Sequence, residues 1–209
     1  MKRLVTILAV ASLLMVGPVF ADCNEDPDEI CIVFDYPTSC AQNCISMFGA
    51  PLSAYVVIQN PSAAGGVSGY EFMLCREGGA PFVVPPNCYL AGYVYPPNAI
   101  NVATEPEFIV GLGVPLPQEH CVLLLTINML IFCPDCWCFG VQPVPSPSIP
   151  GAMAYADGAD PGNIIPMNPC TGGDWDSCTM ACINCEWCPP DPPVDAEHQT
   201  WGQLKSLYD

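Results

Sequence analysis

Fifteen cysteines hold most of the potential chemistry of this 209-residue chain, and two clusters of them are spaced suggestively. Cys133-x2-Cys136-x-Cys138 and Cys178-x3-Cys182-x2-Cys185-x2-Cys188 both contain C-x2-C pairs, the grip by which four thiolates hold zinc. The gap between the clusters is much longer than a zinc ribbon uses. The rival chemistry is cross-linking, for which Cys23, Cys31, Cys40, Cys44, Cys75, Cys88, Cys121 and Cys170 join the seven clustered cysteines as candidates. Fifteen is odd, so at least one cysteine is free, mixed or intermolecular. Spacing does not reveal the connectivity, but the stretches 23–44 and 170–188 are the ends most in need of bracing.

The start of the chain decides between these chemistries. Lys2 and Arg3 precede an apolar run from Leu4 to Gly17, and Val19-Phe20-Ala21 ends on a small residue before Asp22. That layout predicts a cleaved signal peptide over 1–21, with every cysteine downstream of the cut. Export places the cysteines in an oxidising compartment, where disulfides form and persist. Asp22 before Cys23 does not suit lipoprotein processing. The longest later apolar run, 121–132, is short of the ~20 residues that span a bilayer. A secreted, extracellular or periplasmic product is expected, with no membrane span after cleavage.

Charge narrows the partners. Once the leader is removed, only Arg76 and Lys205 oppose 21 carboxylates. Such a chain repels phosphate backbones and anionic membrane surfaces, which excludes nucleic acid as a partner. Half of the residues are hydrophobic (51%), so the acidity belongs to a folded chain.

Other chemistry is sparse. Asp157, Asp160 and Asn163, with Asp174 and Asp176, form acidic turns offering oxygen ligands to calcium, but without EF-hand spacing. Asp and Asn also occupy such turns for backbone reasons alone. His120 enters a core strand and His198 falls in a linker, and neither has an evident nucleophile or orienting acid. Residues 66–69 lack the spacing of a serine nucleophile elbow, and a thioredoxin-like C-x2-C would need a βαβ setting. Paired carboxylates acting on polysaccharide remain an alternative, since their separation is three-dimensional. No catalytic or cofactor-binding residue is assigned. Pro61 blocks glycosylation of Asn60.

The elements that must position these groups are strands. Twenty-five prolines and 17 glycines cut the chain too often for long helices. Strands are expected at 31–35, 54–59, 67–75, 88–95, 108–114, 121–132, 138–141 and 152–155, an all-β sandwich pattern. Over 67–75, Tyr70, Phe72 and Leu74 share one face, with Glu71 and Met73 on the other. Over 121–132, Leu123, Leu125, Ile127, Met129 and Ile131 share one face, the period-2 signature of a half-buried strand. The domain is thus expected over 22–188, its later part rich in cysteine. A Pro-rich linker and short amphipathic tail follow over 189–209. There, Thr200 and Gln203 have capping-box spacing, and Trp201, Leu204, Leu207 and Tyr208 share a helical face that must dock, in cis or in trans, to be ordered.

Several stretches carry a resemblance. Tyr55-Val56-Val57-Ile58-Gln59-Asn60-Pro61-Ser62, Gly65-Gly66-Val67-Ser68-Gly69-Tyr70-Glu71-Phe72, Ser148-Ile149-Pro150-Gly151 and Thr200-Trp201-Gly202-Gln203-Leu204-Lys205 resemble a group of uncharacterised secreted β-sandwich proteins of uncultured bacteria. More remotely, the rhythm of 67–74 with 123–131 is similar to cohesin-like and immunoglobulin-like sandwiches, and to carbohydrate-binding ones. The chain departs from the group in its dense cysteines after Cys170 and in ending on Asp209. The resemblance implies an antiparallel, disulfide-braced β-sandwich and assigns no residue a role. The expected function is a non-catalytic binding or structural module whose partner is protein or carbohydrate at a cell surface. A polysaccharide-active enzyme and a metal-thiolate protein are the alternatives.

Overall fold

The structure, a computed structural model, describes residues 26–170, 178, 180–186 and 188. The expected leader and the expected amphipathic tail lie outside them. Thirteen strands and no helix are present among the described residues: β1 (Glu29–Val33), β2 (Cys44–Ile45), β3 (Ala50–Gln59), β4 (Val67–Arg76), β5 (Ala80–Pro81), β6 (Cys88–Val94), β7 (Ala99–Asn101), β8 (Glu107–Leu116), β9 (Cys121–Ile131), β10 (Trp137–Gln142), β11 (Met153–Asp157), β12 (Ile164–Pro169) and β13 (Ala181–Ile183). The eight expected strands are all there. The other five are short or, in β12, interrupted by proline, and so have no legible alternation.

The strands form two layers. One runs β1–β3–β9–β6; the other is built around β4, flanked by β10, β11, β5 and β8, with β13 and β2 beyond β10 and β7 beyond β8. Strand β12 joins the layers, pairing antiparallel with β11 and parallel with β1. The core lies between them, where Ile58, Leu125, Ile127 and Ile131 of one layer meet Phe72, Leu74, Phe108 and Phe139 of the other, all fully buried. Phe72 lies between Tyr70 and Phe108, with ring centroids 5.7 and 5.2 Å away. Burying this apolar surface is the main favourable contribution to folding.

The face expected for 121–132 needs one correction. Val56 pairs with Leu125 and Val57 with Leu123, so Leu124 is an extra residue in β9. The bulge flips the alternation. Leu124 and Leu125 both enter the core, while Leu123 turns outward against Val57, Cys31 and Cys40. At the bulge the Leu124 carbonyl accepts from the Tyr70 hydroxyl across the core at 2.5 Å. The face expected for 67–75 is observed, and Glu71 on its far side is buried as well.

Candidate functional site

The fourteen cysteines among the described residues form seven disulfides, in three settings. Cys31–Cys170 and Cys40–Cys121 lie on the outer face of the β1–β3–β9 layer, closing segment 34–43 over Val33 and Val57. Cys88–Cys133 ties β6 to the end of β9, and Cys75–Cys178 ties β4 to the C-terminal segment. Cys44–Cys188, Cys136–Cys185 and Cys138–Cys182 gather where β2, β13 and β10 lie side by side. Two of the seven, Cys31–Cys170 and Cys44–Cys188, tie the beginning of the domain directly to its end. Cys23 lies outside the described residues. The thiolate cluster read from the sequence therefore exists as a cluster of sulfurs: those of Cys136, Cys138 and Cys185 lie within 4.8 Å of one another. Bonded as disulfides, they present no thiolate to a cation.

The acidic turn candidates bind their own backbone. Asp157 accepts from the Ala159 amide at 2.9 Å, and Asp160 from the Gly162 amide at 3.1 Å. The Asn163 carbonyl accepts from the Asp157 amide, closing the β11–β12 connection. A Cβ on Gly65 would collide with the Ala159 amide, and one on Gly158 with the Gly65 carbonyl, so glycine is required where these two loops touch. Asp174 and Asp176 lie outside the described residues.

Other carboxylates are engaged in the same way. Buried Glu71 accepts from the Ser148 amide at 2.6 Å and its hydroxyl at 3.0 Å. Asp28 accepts from the Tyr155 hydroxyl at 2.5 Å and the Ser62 amide at 2.7 Å. Burial, reinforced by Asp28, raises the Tyr155 pKa. Asp35 holds segment 34–43 through the Ala41 and Gln42 amides and the Ser39 hydroxyl. His120 is exposed, with Nδ1 2.6 Å from the Asn60 side-chain oxygen. No Cys–His pair for nucleophilic chemistry exists among the described residues, because their cysteines are all cross-linked. His198 lies outside them.

A surface that the sequence did not single out lies along β6. Among the described strands β6 pairs only with β9, so one side of its backbone has no strand beside it. Tyr89, Leu90 and Val94 on β6 are exposed, as are Phe132 and Phe48 nearby. The Phe132 ring lies 6.5 Å from both Tyr89 and Phe48, forming one aromatic patch. A bulge at Ala91–Gly92 breaks the alternation of β6, with Gly92 at φ 143°. The one legible signal was the run Tyr89-Leu90-Ala91, which does not alternate.

Neither a protein-family profile nor a curated protein sequence matches the chain. Among solved structures, the chain is similar to the sixth cohesin of Acetivibrio cellulolyticus scaffoldin B, solved in complex with a Cel5 dockerin. Identity is 10% and the TM-score 0.46, covering 76% of this chain and 98% of that one. It is also similar to the cohesin of the Coh-OlpA–Doc918 complex of Clostridium thermocellum, with 12% identity and a TM-score of 0.46 over 74% and 96% of the two chains. A type II cohesin domain of A. cellulolyticus gives 15% identity and a TM-score of 0.40, over 76% and 96%.

Proposed function

We propose that the chain is a non-catalytic, exported protein-binding module, with residues 22–188 as the binding domain. The observation that carries this reading is the free edge of β6 with its aromatic patch. An edge strand left open is normally blunted by charge or proline, because its unpaired backbone groups recruit further strands. Here Tyr89, Leu90 and Val94 leave it apolar, and Phe48 and Phe132 extend the apolar area beyond it. Contiguous exposed apolar surface of this kind marks a contact site. An extended partner segment can add to β6 through main-chain hydrogen bonds and place alternate apolar side chains on the patch. Seven disulfides support maturation in an oxidising compartment and a rigid scaffold for such a surface.

Site-specific cross-linking tests the reading. A photo-reactive phenylalanine analogue replacing Tyr89 should trap a protein in the native extracellular fraction, and Phe132→Ser should abolish the trapping. The same probe at Ile100, equally exposed but on β7, should trap nothing. Equal trapping at both positions, or a patch that retains glycan and no protein, would sink the proposal.

A further inference from the structure

The β10–β13 cluster contains a feature that bracing does not require. Two disulfides, Cys136–Cys185 and Cys138–Cys182, lie so close that Cys138 Sγ is 3.9 Å from Cys185 Sγ. Cys138 and Cys182 face each other directly across the antiparallel β10–β13 pair, so the second bond links strands already held by the ladder. Access to the two bonds differs sharply. Cys136 is the one exposed half-cystine among the described residues, while Cys182 and Cys185 are buried.

Cys136 and Cys138 open onto a surface cavity of about 360 Å³, also lined by Arg76, Glu77, Val83 and Trp137. Arg76 is the one Lys or Arg side chain among the described residues, and it is exposed here beside an accessible disulfide. A neighbouring guanidinium favours the thiolate form of an incoming thiol, the reactive form in exchange, although Glu77 on the same rim opposes it. Among the described residues the buried Trp137 indole N–H finds no acceptor.

We infer that this cluster is a thiol–disulfide exchange site: an external thiol adds at Cys136, and the exchange is relayed inward to Cys182. The thiolate attacks Cys136 Sγ, forming a mixed disulfide and breaking Cys136–Cys185, and the electron pair leaves on Cys185 Sγ. From 3.9 Å, the Cys185 thiolate attacks Cys138 Sγ, forming Cys138–Cys185 and expelling Cys182 as thiolate. Cys182 takes the proton that the incoming thiol gave up. One thiol and two disulfides become one mixed disulfide, one new disulfide and one buried thiol, with no other oxidant or reductant. The other five bonds contain no exposed half-cystine, although Cys44, Cys121 and Cys170 are half-buried, and they lie outside this reaction.

The test uses the full oxidised chain with Cys23 first blocked by N-ethylmaleimide, then limited reduced glutathione as the probe thiol. Acid quenching, a second isotopically distinct maleimide under denaturing conditions and peptic mapping at low pH locate every sulfur. The expected result is one adduct per chain, on Cys136, with the second label on Cys182. Addition at Cys136 should be roughly tenfold faster than at any other disulfide. The second label on Cys185, with Cys138–Cys182 intact, would overturn the relay. Adducts spread over several disulfides, or none at all, would overturn the site. In C138A/C182A the label should move to Cys185. Should that variant not fold, Arg76→Gln at the exposed rim should slow addition of glutathione without redirecting it, and an unchanged rate would remove Arg76 from the site.

Discussion

Two pairs of disulfides in this molecule have the same chemistry and opposite consequences. Cys31–Cys170 and Cys40–Cys121 clamp segment 34–43 onto the outer face of one layer, bridging residues 139 and 81 positions apart in the chain. Cys138–Cys182 bridges β10 and β13, and Cys136–Cys185 joins the residues just outside the same two strands, so each makes the other partly redundant. A cross-link stabilises by the chain freedom it removes from the unfolded state, so a second link beside an existing one removes less. The clamp is therefore a stability device, and the redundant pair has room for reactivity.

Breaking the clamp should have the largest effect. With Cys44–Cys188 intact, loss of Cys31–Cys170 still releases a ring of about 30 residues, worth about 4 kcal/mol in the chain-entropy account. Chemical denaturation of C31S/C170S should show that loss, or the variant should fail to accumulate. In C136S/C185S the released ring is only about five residues, and the same account gives about 2 kcal/mol. Equal losses in the two variants would erase the distinction between clamp and redundant pair.

Smaller effects test the scaffold between them. Tyr70→Phe strands the Leu124 carbonyl at the bulge and should cost about 1–2 kcal/mol in urea denaturation, the desolvation penalty of a buried acceptor. Alkali should act in the same region. Burial, and then a hydrogen bond to Glu105, push the Tyr95 hydroxyl up to about 12 from its ordinary 10, and burial raises Tyr70 and Tyr93 too. Since the unfolded chain gives up these protons first, their contribution is intact below pH 10 and is lost as pH rises through the folded values. The melting temperature should therefore fall from about pH 10 upward, with a shallower fall in Tyr95→Phe, where one of these groups is gone. Phe132→Ser should change stability least, by about 0.5–1 kcal/mol, because nearly half of the residue is exposed and its ring packs against the exposed Phe48 and Tyr89. Its effect belongs to partner capture.

The eight longer strands were legible because alternation is a local property, written into residues two apart. The acidic turn at Asp157 and Asp160 was legible as a turn for the same reason. Leu123 was misplaced because a bulge is fixed by the partner strand: only the pairing of Val56 and Val57 with β9 shows that Leu124 is the extra residue. The β6 patch escaped notice because Phe48, Tyr89 and Phe132 come from three separate segments, and exposure is decided by what covers a residue.

By itself, the sequence determined an all-β chain rich in cysteines suited to cross-linking, because period-2 alternation and frequent proline and glycine act locally and set strand type. Tertiary structure alone decided which cysteines pair. Cys31 meets Cys170 only because β1 lies parallel beside β12, and Cys138 meets Cys182 only because β10 and β13 share a register. A disulfide forms where two sulfurs are brought within bonding distance, and distance between residues far apart in the chain is a property of the fold.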